Sequence, residues 1–121
     1  MTVKATFRPH ERLKDPRDFR RAFERRRSES DQVLVVYGVE NGLAHSRLGI
    51  SVARKKVRAA SSRNRLKRLV REAFRLSKAE LPSGIDLVVI PRLQNASCDA
   101  VSVSLVELVT RIARRLGGTR K

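Results

Sequence analysis

Acids, cysteines, histidines and large aromatics are all scarce in this 121-residue chain, which has no tryptophan and one tyrosine. Cys98 is the only cysteine, which excludes an internal disulfide and a thiolate metal cluster of the usual spacing, and suits a reducing cytoplasm. With His10 and His45 as the only histidines there is no His-Glu-x-x-His pair, and no glycine-rich loop ends in Lys-Ser or Lys-Thr. Zinc hydrolase and P-loop chemistry are thereby excluded. The 12 acids are scattered among arginines, so they offer no carboxylate cluster for a metal-dependent nuclease. Asp15 and Asp18 are better suited to a helix N-terminus. No catalytic residue and no metal ligand is assigned to the polypeptide. No apolar run approaches the roughly 18 residues of a membrane span, and none follows the first basic residues as a signal peptide requires. Neither membrane insertion nor secretion is expected.

Positive charge is what the chain has in excess. Lys and Arg number 28, the formal charge is +16, and 40% of the residues are nonetheless hydrophobic. These apolar residues recur with structural periods, which argues against disorder and for a single domain over residues 1–121, ordered over about 11–116. The basic ends, including the tail 117–121, are expected to be loose. A surplus this large repels itself in a compact state, and a polyanionic partner relieves the repulsion. Solubility alone needs only a modest net charge.

Asp15-Pro16 is a capping acid followed by proline at a first helical position, so a helix should run to about Arg26 with Phe19 and Phe23 on one face. Residues 32–39 are rich in β-branched side chains, and Glu40-Asn41-Gly42 signals a turn into a second strand over 47–52, together an antiparallel hairpin. The polar run 28–31 accommodates a short extra strand. Leu66, Leu69, Val70, Ala73 and Phe74 mark an amphipathic helix over about 62–79, ended by Leu81-Pro82-Ser83-Gly84. A strand over 85–90 closes at Pro91, and Val101, Leu105, Leu108, Val109, Ile112 and Leu116 form the stripe of a last helix from about Asp99. The order αβββαβα reads as an α/β (α+β) two-layer sandwich, with three helices packed on a small four-stranded sheet.

Between positions 54 and 75 there are ten basic residues and one acid, Glu72. The apolar positions of the helix face the core, so Arg63, Arg65, Lys67, Arg68, Arg71 and Arg75 project elsewhere as a rigid comb of cations. Guanidinium groups fork onto phosphate oxygens and stack on bases, and Asn64 adds a donor and an acceptor for a sugar or base edge. An ordinary solvated face would interleave acids at spacings of three or four. On the residues alone, Phe19, Phe23 and Tyr37 serve equally as core or as a stacking platform for a single strand.

Arg63-Asn64-Arg65-Leu66-Lys67-Arg68-Leu69-Val70-Arg71-Glu72-Ala73-Phe74-Arg75, preceded by Leu48-Gly49-Ile50-Ser51-Val52-Ala53-Arg54-Lys55-Lys56-Val57, resembles the protein subunit of bacterial ribonuclease P. Leu13, Asp18-Phe19, Phe23, Tyr37 and Asp86-Leu87-Val88-Val89-Ile90 match in order, so the resemblance covers about 12–116. It implies a left-handed βαβ crossover, where pattern alone favours the right-handed form. It also implies a cytoplasmic ribonucleoprotein, one protein per RNA, in which the catalytic RNA, with magnesium at its own active site, removes the 5′ leader from precursor tRNA. By the same resemblance Arg63, Asn64, Arg65 and Arg68 face the catalytic RNA, with one of Arg54, Lys55 and Lys56 at the family's adjoining basic position. Phe19, Phe23, Val35, Tyr37, Lys67 and Arg71 then line the cleft for the single-stranded leader.

A ribosomal or other structural RNA-binding protein shares the charge and size. A DNA-binding regulator fits less well, because the basic helix follows a strand and loop, not the short turn of a helix-turn-helix unit. A calmodulin-type or membrane target helix is weaker still. The charge itself is testable: if about six phosphates are neutralised, RNA binding should weaken on the order of a thousandfold between about 50 and 200 mM salt, with the duplex DNA slope as guide. Anisotropy titrations across that range check this, and a nearly flat dependence would overturn the electrostatic reading.

Overall fold

The structure is a computed structural model and describes residues 9–25 and 27–117. Asp15 opens the first helix, α1 (Pro16–Arg25), by accepting the Arg17 amide at 2.9 Å, while Pro16 takes a position whose N–H would have no helical partner. Hydrogen bonds from the Arg17 side chain and then its amide hold the Asp15 carboxyl below its ordinary range. Arg26, the expected end of this helix, lies outside the described residues, as do tail residues 118–121. Strands β1 (Ser28–Ser30), β2 (Leu34–Glu40) and β3 (Arg47–Ile50) follow. Helix α2 (Ala60–Ser77) runs into a 3-10 turn, Lys78–Glu80, and β4 (Ile85–Pro91) and α3 (Cys98–Gly117) complete the expected order αβββαβα. No helix among the described residues is long and apolar enough to cross a membrane.

The strand order β1-β2-β4-β3 corrects one expectation. β2 and β3 do not form a hairpin; β4 lies between them, antiparallel to β2 and parallel to β3. The reason is burial. Residues 85–89 are all buried, so β4 is covered on both faces and belongs at the sheet centre. The expected turn does form: Gly42 adopts φ +72° and the Asn41 Oδ1 accepts the Leu43 amide at 2.7 Å. The Asn41 amide, however, donates to the Gly84 carbonyl at 3.0 Å, so the turn closes on the start of β4 and the chain steps across it to reach β3.

Alternation along the strands separates two faces. On one, Leu34, Val36, Leu48, Leu87 and Val89 pack against Val70 and Phe74 of α2 and against the α3 stripe of Leu105, Leu108 and Ile112. On the other, Val39 and Val88 pack against Leu13 and against Ala22 of α1. This second face is only partly covered: Val35 and Ile90, directly paired on β2 and β4, stay half-buried.

Asp86 lies on the second face and is fully buried. Arg47 donates Nε and Nη2 to its two oxygens at 2.8 and 2.6 Å, and the Asn41 Nδ2 donates to Oδ1 at 2.9 Å. The Asp86 hydrogen bonds raise the Arg47 guanidinium above its usual pKa. Arg47 also approaches Asp18, in the first turn of α1, at 3.6 Å. Asp86→Ala leaves a partly buried guanidinium without its main partner, and should lower unfolding free energy by about 3 kcal/mol. Urea denaturation followed by circular dichroism measures it; a loss under about 1 kcal/mol would mean that this pair does not tie the sheet.

Candidate nucleic-acid interface

Leu66, Val70, Ala73, Phe74 and Ser77 define the buried side of α2. Helical spacing then sets Arg63, Lys67 and Arg71 along one flank, Asn64 and Arg68 on the outer face, and Arg65 on the far flank. The Arg63 Nη1 donates to the carbonyls of Val57 and Arg58, both at 2.9 Å, and the Arg65 Nη2 donates to the Gln94 carbonyl at 2.8 Å. These two arginines therefore brace the loops on either side of α2 as well as carrying charge. Asn64 and Arg68 stand exposed, whereas Arg75 is paired with Glu72. In the loop before α2, the Lys56 and Val57 amides close a turn on the Ala53 carbonyl and Val57 is buried, which leaves Arg54, Lys55 and Lys56 exposed. Asn64 and Arg68 thus lie in the N-terminal half of α2, and the loop cations in the segment that leads into it.

A second constellation occupies the open sheet face. Tyr37, Val88 and Gly49 are direct cross-strand neighbours on β2, β4 and β3. Above them, Phe23 meets Tyr37 edge to face with ring centroids 4.9 Å apart, and the buried Ala22 packs in the cluster with Val88. Phe19 lies on Gly49 so closely that a Cβ there would stand 2.5 Å from the Phe19 Cζ, so this approach requires glycine. Phe19 and Tyr37 are half-buried and Phe23 is 36% exposed, so these rings are partly core and partly open platform. Val35, two residues before Tyr37, shares its face.

Lys67 and Arg71 reach the same strip from α2. With Phe19, Gly49, Arg12 and Lys14 they line a cavity of about 200 Å³. Burial, then the charges of Arg12 and Arg68, push the Arg71 guanidinium below its usual pKa. A larger cavity of about 710 Å³, between Leu43, Pro82 and Leu116, contains none of these residues and lacks their cations. The structure thus groups Phe19, Phe23, Tyr37, Lys67 and Arg71, with Val35 on the adjoining open sheet. Arg12 and Lys14 escaped sequence reasoning, because a lone cation in a short N-terminal segment carries no periodic signal. Only the parallel bridge between Arg12 and Leu48 places them at the cleft.

A family model described as Ribonuclease P matches residues 7–113. The chain is 42% identical over 113 residues to the ribonuclease P protein component of Thermotoga petrophila, covering 88% of this chain and 96% of that one. Against the Escherichia coli O157:H7 component it is 39% identical, covering 97% and 99%. The solved ribonuclease P protein of Thermotoga maritima superposes with a TM-score of 0.74 at 41% identity, covering 84% of this chain and 96% of that one. That of Staphylococcus aureus superposes at 0.71 and 34% identity, covering 86% and 95%.

The two kinds of arginine on α2 should separate experimentally. Arg63→Ala removes two hydrogen bonds to backbone carbonyls and should cost about 1.5 kcal/mol of stability together with RNA affinity. Arg68→Ala, at an exposed position, should leave stability within about 0.5 kcal/mol and weaken RNA binding alone. Urea melts beside RNA titrations check both, and equal destabilisation by the two substitutions would contradict the division.

Proposed function

Because the chain belongs to the ribonuclease P protein family, we propose that it binds the catalytic RNA of ribonuclease P through α2 and holds the 5′ leader of precursor tRNA on its open sheet face. Family membership sets the ribosomal reading aside. The observation that carries the proposal is the open strip on which Phe23 and Tyr37 adjoin Phe19, with Lys67 and Arg71 at its edge. Single strands are bound by aromatic platforms beside positive grooves, because every base has a face to stack and every linkage a charge. An unpaired leader presents both.

The two surfaces have different tasks. Arg54, Lys55, Lys56, Arg63, Asn64, Arg65 and Arg68 meet phosphates and base or sugar edges of the catalytic RNA and fix the protein's position on it. Phe19, Phe23, Val35, Tyr37, Lys67 and Arg71 then lie where the leader emerges, and their binding energy favours precursor over mature tRNA. Hydrolysis belongs to the RNA and its magnesium, and the protein supplies position and charge neutralisation. One protein per RNA, in the cytoplasm, completes the reading.

The experiment is reconstitution with the matching catalytic RNA at low magnesium, with RNA-free protein as the control that should leave precursor tRNA intact. Tyr37→Ala removes a stacking surface worth about 1 to 3 kcal/mol per base, so affinity for leader-bearing tRNA should fall while mature tRNA binding changes little. A melting curve establishes that the variant is folded. Equal weakening of both substrates by folded Tyr37→Ala would remove the leader assignment.

A further inference from the structure

We propose that Arg12 is a phosphate-binding residue of the cleft, holding one phosphate of the leader together with Lys67 and Arg71. The inference rests on the leader reading above and adds a contact from a segment outside both α2 and the aromatic strip.

The first support is placement. Arg12 sits between two buried residues, Glu11 at 4% and Leu13 at 5% exposure. The Glu11 carboxylate pairs with the Lys78 ammonium at the end of α2, and the Leu13 amide donates to the Leu48 carbonyl at 2.9 Å. The Arg12 amide closes the preceding turn on the Pro9 carbonyl at 3.1 Å, and its backbone bridges in parallel to Leu48. Between these buried neighbours Arg12 is itself exposed, on the wall of the cavity that Phe19, Lys67 and Arg71 also line. The segment is therefore anchored on both sides of Arg12.

Electrostatics is the second support. Arg12 and Arg68 act on Arg71 with like charge, on top of its burial, so the fold holds cations together at a cost to the free protein. A phosphate between them turns that repulsion into charge-assisted hydrogen bonds. Phe19 forms part of the same wall, so the base beside that phosphate has a ring to stack on. Anchored cations converging beside an aromatic ring suit one nucleotide of a single strand.

The test uses the reconstituted holoenzyme and compares affinities for leader-bearing and mature tRNA. Arg12→Gln should lower their ratio by roughly fivefold to tenfold and reduce the salt slope for leader-bearing tRNA by about one unit, in a variant that a melting curve shows to be folded. Arg12→Lys should recover part of the ratio. Leaders carrying one uncharged methylphosphonate linkage at successive positions then locate the contact: the native enzyme should lose affinity at one linkage, where Arg12→Gln is indifferent. If Tyr37→Ala lowers the ratio and Arg12→Gln does not, the Arg12 assignment falls and the leader reading stands. If neither does, the leader reading fails and takes this proposal with it. Equal loss for both tRNAs with a lowered melting temperature would make Arg12 a structural brace, and sensitivity of the variant at every linkage would make its contribution diffuse; either result overturns the proposal.

Discussion

Asp86 has no exposed surface, and its charge is tolerable at the sheet centre only because Arg47 and Asn41 both reach it. Each partner comes from a different place. Arg47 is the first residue of β3, and Asn41 belongs to the connection that leaves β2. The carboxylate thus holds the chain on both sides of β4 and sets β3 parallel beside it. Through Arg47 it also reaches Asp18 in α1, so the helix that carries Phe19 and Phe23 is referenced to the same charge. Buried ion pairs add little net stability over an apolar alternative, but losing one partner is expensive, which makes such a pair a device for fixing register.

Upon that frame the two halves of the sheet face different demands. One face is closed by α2 and α3 into an apolar core, and the turn before β2 is tied to it: the Asp31 Oδ2 accepts the Ser104 hydroxyl at 2.6 Å, while its Oδ1 accepts the Val33 and Leu34 amides at 2.8 and 2.9 Å. The other face carries one short helix whose central contact is an alanine, so α1 sits low and covers little. What remains open is a strip of half-buried rings and valine. Full coverage would make a better core and abolish the platform.

Helix α2 joins the two candidate RNA surfaces. Its inner face is apolar, one flank carries Lys67 and Arg71 into the cleft, and its outer face carries Asn64 and Arg68. In the proposed arrangement a leader on the sheet would run beside the helix assigned to the catalytic RNA, so one rigid element would bring substrate and catalyst together. The cost is crowding of like charge around Arg71, which a polyanion relieves.

The sequence by itself determined the elements and the charge. Asp15-Pro16 marked the start of α1, the spacing of Leu66, Val70, Ala73 and Phe74 oriented α2, and the stripe from Val101 to Ile112 oriented α3. The extended run from Arg63 to Arg75 with its flanking strand, matched in order along the chain, was enough to indicate the family. Strand order was decided only in three dimensions: the turn at Asn41-Gly42 is a true turn, yet β4, arriving some forty residues later, displaces the local partner because it alone buries both faces. The same holds for Gly49, whose missing side chain matters because Phe19 lies on it, and for Arg12, which becomes part of the cleft through its bridge to Leu48. Periodicity along a chain records which side of an element is buried, because that is a local property. Which neighbour buries it, and which distant cations come to share one cavity, depends on competition among all the segments for the same surfaces.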